Sequence, residues 1–331
     1  MGRDPAGRLP GRLLPPVTRA GGSALGRVRI GSRRSRLARA QAEWVGERMA
    51  DAFPGLHVEY VTLSTAGDRD PDTPLPDIGG KGVFTEDLEI ALHDGRIDLV
   101  VHSLKDLPTD RPGDDHLAAI PLREDARDVL VVRPELRSGA SSPNDYPGGL
   151  TIGTSSVRRA AQVRRLLIDV EVAAVRGNVE TRLAKVGEGA LDGVILAAAG
   201  LRRLGLWPEG AVLLDPPSWL PAPGQGALAV QSRPSDRRVR ALAAPLHDPE
   251  TAAAVIAERR LLGRLEGGCH VPIAAYATVA DGRLSLRAAV YAADSSVDPI
   301  EGSATGPVAE AARIGESLAE ELLLRGAADI L

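Results

Sequence analysis

From Arg27 onward, short apolar runs alternate with segments whose apolar residues recur at helical spacing, and this alternation limits the fold more than any other feature of the chain. RVRIGS (27–32) reads as a strand and 35–53 as a helix; VEYVTLST (58–65) is a strand, 84–95 a helix and IDLVVHSL (97–104) a buried strand. RDVLVVR (127–133) starts another strand. A second series follows: strands at 150–155, 170–176 and 193–200, with helices at 156–167 and 178–187. Strands that alternate with helices imply parallel sheets covered on both faces, an α/β fold. The proline-rich run 216–223 breaks the pattern and ALAVQS (227–232) returns as a strand. The last third is α+β, with helices at 236–246 and 250–265, strands at 271–279 and 283–292, and a helix over 307–325. Two loops stand out: 66–82, with three prolines and four glycines, has the length of a functional lid, and 134–149 reads as an exposed excursion.

Composition narrows the function classes. A chain of 331 residues has room for two or three domains. Aromatics are 3%, so the cores must be built from Ala, Val, Leu and Ile. A net charge of −4 argues against a general nucleic-acid binder. No stretch approaches the ~20 apolar residues of a membrane span. One Cys rules out an intrachain disulfide and a multi-Cys metal site, and suits a reducing compartment. Residues 1–26 are rich in Pro, Gly and Arg, lack the apolar core of a secretory signal, and read as a disordered extension or an upstream start.

Three motifs fail for lack of context. GQGALA (224–229) matches a dinucleotide fingerprint but opens a strand rather than a helix. GGKG around Lys81 lacks the first glycine and the Ser/Thr of a phosphate loop. Asp68, Asp70 and Asp72 have calcium-loop spacing, but Thr73 and Gly79 stand where Gly and Glu are required, so a solvated acidic loop is the better account. The six His residues form no ligand pair at helical spacing.

The strand ends carry more. In open α/β sheets ligands bind beyond the carboxyl ends of the strands, near helix N-termini. Arg33 and Ser35 follow the first strand, and Lys105 and Asp106 follow the one that ends at Leu104. Thr154, Ser155 and Ser156, then Arg158 and Arg159, follow 151–153. Arg176, Gly177 and Asn178 follow 171–175, with Arg182 one turn on. Four ends thus deliver cations, hydroxyls and free amides to one edge. Such a set suits a ligand with several carboxylates, although any single Arg in so Arg-rich a chain could be plain surface charge. The 40 basic residues include only three Lys, at 81, 105 and 185, and a Lys that survives such a bias marks a place where the compact ammonium is needed. Asp106 either balances Lys105 as an ion pair or faces a cationic intermediate. Cys269 lies in LEGGCHVPI, where two glycines suit close approach by a ligand; most lone cysteines are buried and inert.

At these residues the chain resembles the porphobilinogen deaminase (hydroxymethylbilane synthase) family. The matching segments include IGSRRSRLARAQ (30–41), IGGKGVFTEDLE (78–89), DLVVHSLKDLPT (98–109), REDARD (123–128), IGTSSVRRAAQ (152–162), RGNVETRL (176–183), LPAPGQGALA (220–229) and ERRLLGRLEGGCHVPIAAYA (258–277). They run in family order over about 27–331. The resemblance implies two doubly wound lobes like periplasmic binding proteins, 27–122 with 225–244 and 127–220, plus a small C-terminal α+β domain over 248–331. It implies a transferase that joins four porphobilinogen units head to tail, with loss of ammonia, to give hydroxymethylbilane for haem synthesis. The lone Cys and the missing export signal point to the cytoplasm, charge and hydropathy to neither a nucleic-acid nor a membrane partner, and a monomer is expected. The resemblance also implies a dipyrromethane cofactor held as a thioether on Cys269.

By motif match Asp106 is the catalytic carboxylate, with Lys105 beside it. Lys105, Ser103, Thr154, Ser155, Ser156, Arg158, Arg159, Gly177 and Asn178 are cofactor contacts, and Arg33, Ser35, Gln41, Lys81, Arg176 and Arg182 substrate contacts. Loss of ammonia leaves an electron-poor azafulvene, and a carboxylate near the pyrrole nitrogens stabilises the charge that follows. One departure is Asp77, where family members often carry Lys before the GGKG segment. The rival reading is a non-catalytic two-lobed module for a polycarboxylate, which explains the arginines but neither Asp106 nor the Gly-Gly-Cys turn. Ehrlich's reagent, which turns pink with dipyrroles, separates the two.

Overall fold

The computed structural model describes residues 26–65, 85–109, 116–136, 145–265 and 271–331. Three sheets organise them. The chain begins with β1 (Arg27–Arg33), α1 (Arg36–Ala52), β2 (His57–Leu63), α2 (Glu86–His93), β3 (Leu99–Ser103) and β4 (Leu117–Ala119). It then crosses to a second lobe: β5 (Asp128–Val132), β6 (Thr151–Gly153), α3 (Val157–Leu166), β7 (Glu171–Ala173), α4 (Val179–Gly187), β8 (Gly193–Ala197), α5 (Ala198–Leu204) and β9 (Val212–Leu214). It returns through β10 (Leu228–Ser232) and α6 (Arg237–Ala243). The last part holds α7 (Pro249–Arg264), β11 (Ile273–Ala280), β12 (Arg283–Val290), β13 (Ile300–Pro307), α8 (Ala311–Leu324) and α9 (Ala327–Ile330).

The strand orders are β2-β1-β3-β10-β4, β7-β6-β8-β5-β9 and β11-β12-β13. Both lobes are mixed sheets, which corrects the expectation of parallel ones. β10 runs antiparallel to β3 and β4, and β5 antiparallel to β8 and β9. These are the first strands reached after each crossing between lobes. Periodicity reveals burial, not direction, and a strand buried on both faces reads as the same apolar run either way.

Both faces of each lobe are covered, as strand alternation requires. In β3, Leu99 and Val101 pack with Val45 and Met49 of α1, while Val100 packs with Leu88 and Leu92 of α2. In β5, Leu130 and Val132 meet Val163 of α3, while Val129 and Val131 meet Val186 of α4 and Leu201 of α5. Each such side chain contributes roughly 1.5–3 kcal/mol on full burial. In the third sheet, Leu284, Leu286 and Ala288 face α7 and α8, and Ala274, Ala289 and Tyr291 on its other face meet Ala161 of α3 and Leu220. The C-terminal domain is thereby seated on the second lobe.

The expected helix over 307–325 starts at Ala311, after a 3₁₀ turn at Val308–Glu310, and the strand β13 that precedes them was not expected. This strand escapes notice because its inward positions are small. A Cβ on Gly302 would lie 2.9 Å from the end of Leu318, and one on Gly306 2.9 Å from the end of Ile314, so glycine lets α8 lie close on the strand without moving these side chains. GVILAAAG likewise ends as a strand at Ala197, where α5 takes over.

Glu258 on α7 joins the parts. It is fully buried, and its carboxylate accepts two hydrogen bonds from Arg123 (2.7 and 3.0 Å), one from the Gly224 amide (2.6 Å) and one from the Ala277 amide (2.7 Å). Arg123 and Gly224 lie on the two crossings between lobes, and Ala277 lies in the C-terminal sheet. Glu258→Gln leaves the Arg123 cation without its counter-charge and turns one acceptor into a donor aimed at an N–H. Charge-assisted bonds contribute about 1.5–3 kcal/mol each, so the variant is expected to lose about 2–3 kcal/mol, read as a lower midpoint in urea unfolding.

Candidate active site

The carboxyl end of β3 is shaped by its neighbours. The Leu104 amide donates to Ala227 O (3.0 Å), and Leu104–Asp106 closes as a 3₁₀ turn with Leu107 N donating back to Leu104 O (3.1 Å). Leu104 is fully buried, so the turn is anchored and Lys105 and Asp106 project from a fixed point. The crossing segment presses against it. At Gly226 (φ +86°) a Cβ would lie 2.4 Å from Glu124 O, so the two crossings can touch only through glycine there.

Asp106 lines two cavities. The larger, about 170 Å³, is bounded by Lys105, Asp106, Ser156, Arg158, Arg159 and Gln225, and by Leu262, Val271 and Ile273 of the C-terminal domain. The smaller, about 80 Å³, lies in the first lobe, with Arg33, Ser35, Gln41, His102, Ser103 and Asp106 on its walls. The Gln41 amide donates to Ser103 Oγ at 3.0 Å. Asp106 is exposed and accepts no hydrogen bond from another described residue.

Arg158 and Arg159 are held from within. Asp128, the first residue of β5, is fully buried. It accepts from Arg158 Nη2 (2.8 Å), Arg159 Nη2 (2.6 Å), Arg159 Nε (3.2 Å), Trp219 Nε1 (2.8 Å) and Gln225 Nε2 (2.8 Å). Burial alone would push the Asp128 carboxyl up, but the charges of Arg158 and Arg159, with the hydrogen bonds of Arg159 and Trp219, hold it well below the usual carboxylate range. The Lys105 ammonium donates to Gln225 Oε1 at 3.2 Å. Burial, then the Arg159 charge, push its pKa down to about 8, against the pull of Asp106 and Asp128.

The remaining sequence candidates divide. Ser35, Ser156 and Asn178 cap α1, α3 and α4 with their side chains. Thr154 is buried and its hydroxyl accepts from the Ser156 amide (3.1 Å). The Ser155 hydroxyl is engaged by the Val175 backbone, at 2.8 Å to O and 3.0 Å to N. Arg176, Gly177 and Asn178 stand exposed beyond β7, and Arg182 Nε donates to Gly177 O (2.9 Å). Burial and the Arg159 charge lower the Arg182 pKa. Lys81, Asp77 and Cys269 lie outside the described residues. Asp128, Gln225, Arg123 and Glu258 were not singled out from the sequence. A signal existed for two of them: Asp128 opens the apolar run DVLVV, and Glu258 sits on the stripe of Ala254, Leu261 and Leu265.

Fold and site together define a two-lobed α/β protein with Arg158, Arg159 and Lys105 on one cavity, Arg33 on another, and the exposed carboxylate Asp106 on the walls of both. Residues 28–241 match the family model described as porphobilinogen deaminase, dipyromethane cofactor binding domain, and residues 252–324 match the porphobilinogen deaminase C-terminal domain. The porphobilinogen deaminase of Syntrophotalea carbinolica is 49% identical over 304 residues, covering 92% of this chain and 95% of that one. That of Syntrophobacter fumaroxidans is 47% identical over 304 residues, covering 92% and 96%. Among solved structures, the reduced OxyR regulatory domain from Pseudomonas aeruginosa matches over 67% of this chain and 98% of that one, at 14% identity and a TM-score of 0.40. The chain belongs to the porphobilinogen deaminase family and is a transferase of tetrapyrrole biosynthesis.

Proposed function

We propose that this chain joins four porphobilinogen molecules head to tail, releasing ammonia, to give hydroxymethylbilane, and that Asp106 is the carboxylate at the centre of the chemistry. The observation that carries this reading is the place of Asp106 on the walls of both cavities. Arg33, Ser35, Gln41 and Ser103 bind and orient the substrate in the smaller one, with Lys81, Arg176 and Arg182 as further contacts to its carboxylates. A carboxylate oxygen of Asp106 faces positive charge as it develops on a pyrrole nitrogen and can take or return that proton. Lys105 keeps the carboxylate charged.

The residues of the larger cavity fit a dipyrromethane. Its acetate and propionate arms need cationic donors, and Lys105, Arg158 and Arg159 supply them. Arg158 lines this cavity, and its Nε is buried with no hydrogen-bond partner among the described residues. Ser156, Thr154, Ser155, Ser103, Gly177 and Asn178 complete the proposed contacts, and Cys269 Sγ forms the thioether. Leu262 and Val271, both on this wall, flank the segment that contains Cys269 in sequence. When bound, the group supplies the pyrrole carbon from which the chain grows.

The same reading divides the chain into 1–26, the lobes 27–122 with 225–244 and 127–220, and a cofactor-carrying domain over 248–331. It makes the protein a cytoplasmic monomer acting on a small molecule, without nucleic-acid or membrane partners. One cysteine in 331 residues suits a reducing compartment, and the net charge of −4 disfavours a polyphosphate partner. Intact-mass measurement of active protein tests the attachment. The expected mass exceeds that of the polypeptide by two linked pyrrole units, and Cys269→Ala removes the excess. A bare-polypeptide mass with full activity overturns it.

A further inference from the structure

The turn GQGALA holds a device that neither the dinucleotide reading nor the family site contains. Gln225 is fully buried beside Lys105. Its Nε2 donates to Ala126 O at 2.7 Å and to Asp128 Oδ1 at 2.8 Å. Those two oxygens fix the amide, because a flipped amide would set oxygen against oxygen. Its Oε1 therefore faces the cations, Lys105 Nζ at 3.2 Å and Arg159 Nη2 at 3.4 Å.

We propose that Gln225 is a positioning residue: its locked amide fixes where the Lys105 ammonium sits beside Asp106 and stabilises its charged form. The proposal rests on the catalytic reading of Lys105 and Asp106 only for its functional consequence. The charged groups that face Lys105 include Arg158 and Arg159 from α3, Asp128 from β5 and Asp106 from its own turn. Asp128 is already shared among two guanidinium groups, an indole and Gln225 itself. The neutral carbonyl of Gln225 is an acceptor that meets Lys105 without adding a charge. This leaves the ammonium able to release its proton near neutral pH, which a carboxylate in the same place would prevent.

The scarcity of lysine makes the test direct. With only three Lys in the chain, lysine labelled with ¹³C at Cε gives three side-chain signals, and Lys105→Arg assigns the one that matters. The cofactor-loaded full chain is titrated by NMR. Removing the acceptor disfavours the charged form, so Gln225→Met is expected to lower the Lys105 midpoint by about one pH unit. Gln225→Asn, which withdraws the carbonyl by one methylene, is expected to lower it in the same direction and serves if the Met variant does not fold. Trp219→Phe also takes one donor from Asp128 but does not face Lys105, and should leave the midpoint in place. A Lys105 midpoint unmoved in the Gln225 variants, or moved as far by Trp219→Phe, overturns the proposal. The alkaline limb of the kcat–pH profile is measured on the same proteins. If the NMR midpoint falls while that limb stays, Gln225 still sets Lys105 and it is the catalytic reading of Lys105 that fails.

Discussion

Asp106→Asn is expected to lower turnover about 100- to 1000-fold while leaving the fold intact. The first half follows from electrostatics: loss of one preorganised group that faces developing charge costs about that much in rate. An amide of the same size cannot balance a pyrrole cation, nor take a proton from it. The second half follows from the site. Asp106 is exposed and accepts no hydrogen bond from another described residue, and the turn that carries it is held by Leu104 and the Ala227 carbonyl rather than by the carboxylate. Stability should therefore stay within about 0.5 kcal/mol of the parent. Asp106→Glu keeps the charge but moves it, and should retain part of the rate. The measurement is single-turnover kinetics on variants whose cofactor content has been checked by mass, with urea unfolding alongside. A fully loaded Asn variant that turns over within about threefold of the parent reduces Asp106 to the ionic partner of Lys105.

What the sequence made legible follows from what local pattern can encode. The βα alternation placed the elements of both lobes, because the central strands bury both faces and each helix one stripe. The strand ends brought Arg33, Ser35, Lys105, Asp106, Ser156, Arg158 and Arg159 onto the walls of two cavities, as the carboxyl-end rule expects. Strand direction was not legible, since β5 and β10 owe theirs to the path between lobes. Nor was β13, whose inward glycines answer to α8 and not to any local propensity. The buried partners were the hardest to see. Asp128 is 30 residues from Arg158 and 97 from Gln225, and nothing local marks a carboxylate as the hub of so distant a set. The same holds for Gln225, whose turn resembles a nucleotide motif because close backbone approach needs glycine in either case.

Asp128→Asn should be the most destabilising of the substitutions considered. Breaking a buried pair by removing one partner costs about 3–5 kcal/mol, because the other charge stays buried without compensation. Here one carboxylate serves two guanidinium groups whose side chains are only 4% and 8% exposed. An amide keeps the shape but removes the charge, and its NH₂ faces N–H donors. The sign of the pH dependence is fixed by the direction of the shift. The folded-state pKa of Asp128 is depressed, so its contribution is present above the unfolded carboxylate value near 4 and fades as pH falls below it. The parent should lose stability relative to the Asn variant as pH falls below about 4, and the gap between them should narrow. A second consequence separates a counter-ion from a packing element. Without Asp128, the carboxylates of a bound dipyrromethane become the main counter-charge for Arg158 and Arg159. The thioether keeps the cofactor on the chain in both states, but its carboxylate contacts to these arginines exist only in the folded one and therefore stabilise it. The difference in melting temperature between loaded and cofactor-free protein should therefore be wider in Asp128→Asn than in the parent. Calorimetry on both forms reads this difference. An Asn variant that unfolds within about 1 kcal/mol of the parent, with an unchanged difference between loaded and free protein, would show that Arg158 and Arg159 draw their compensation from elsewhere.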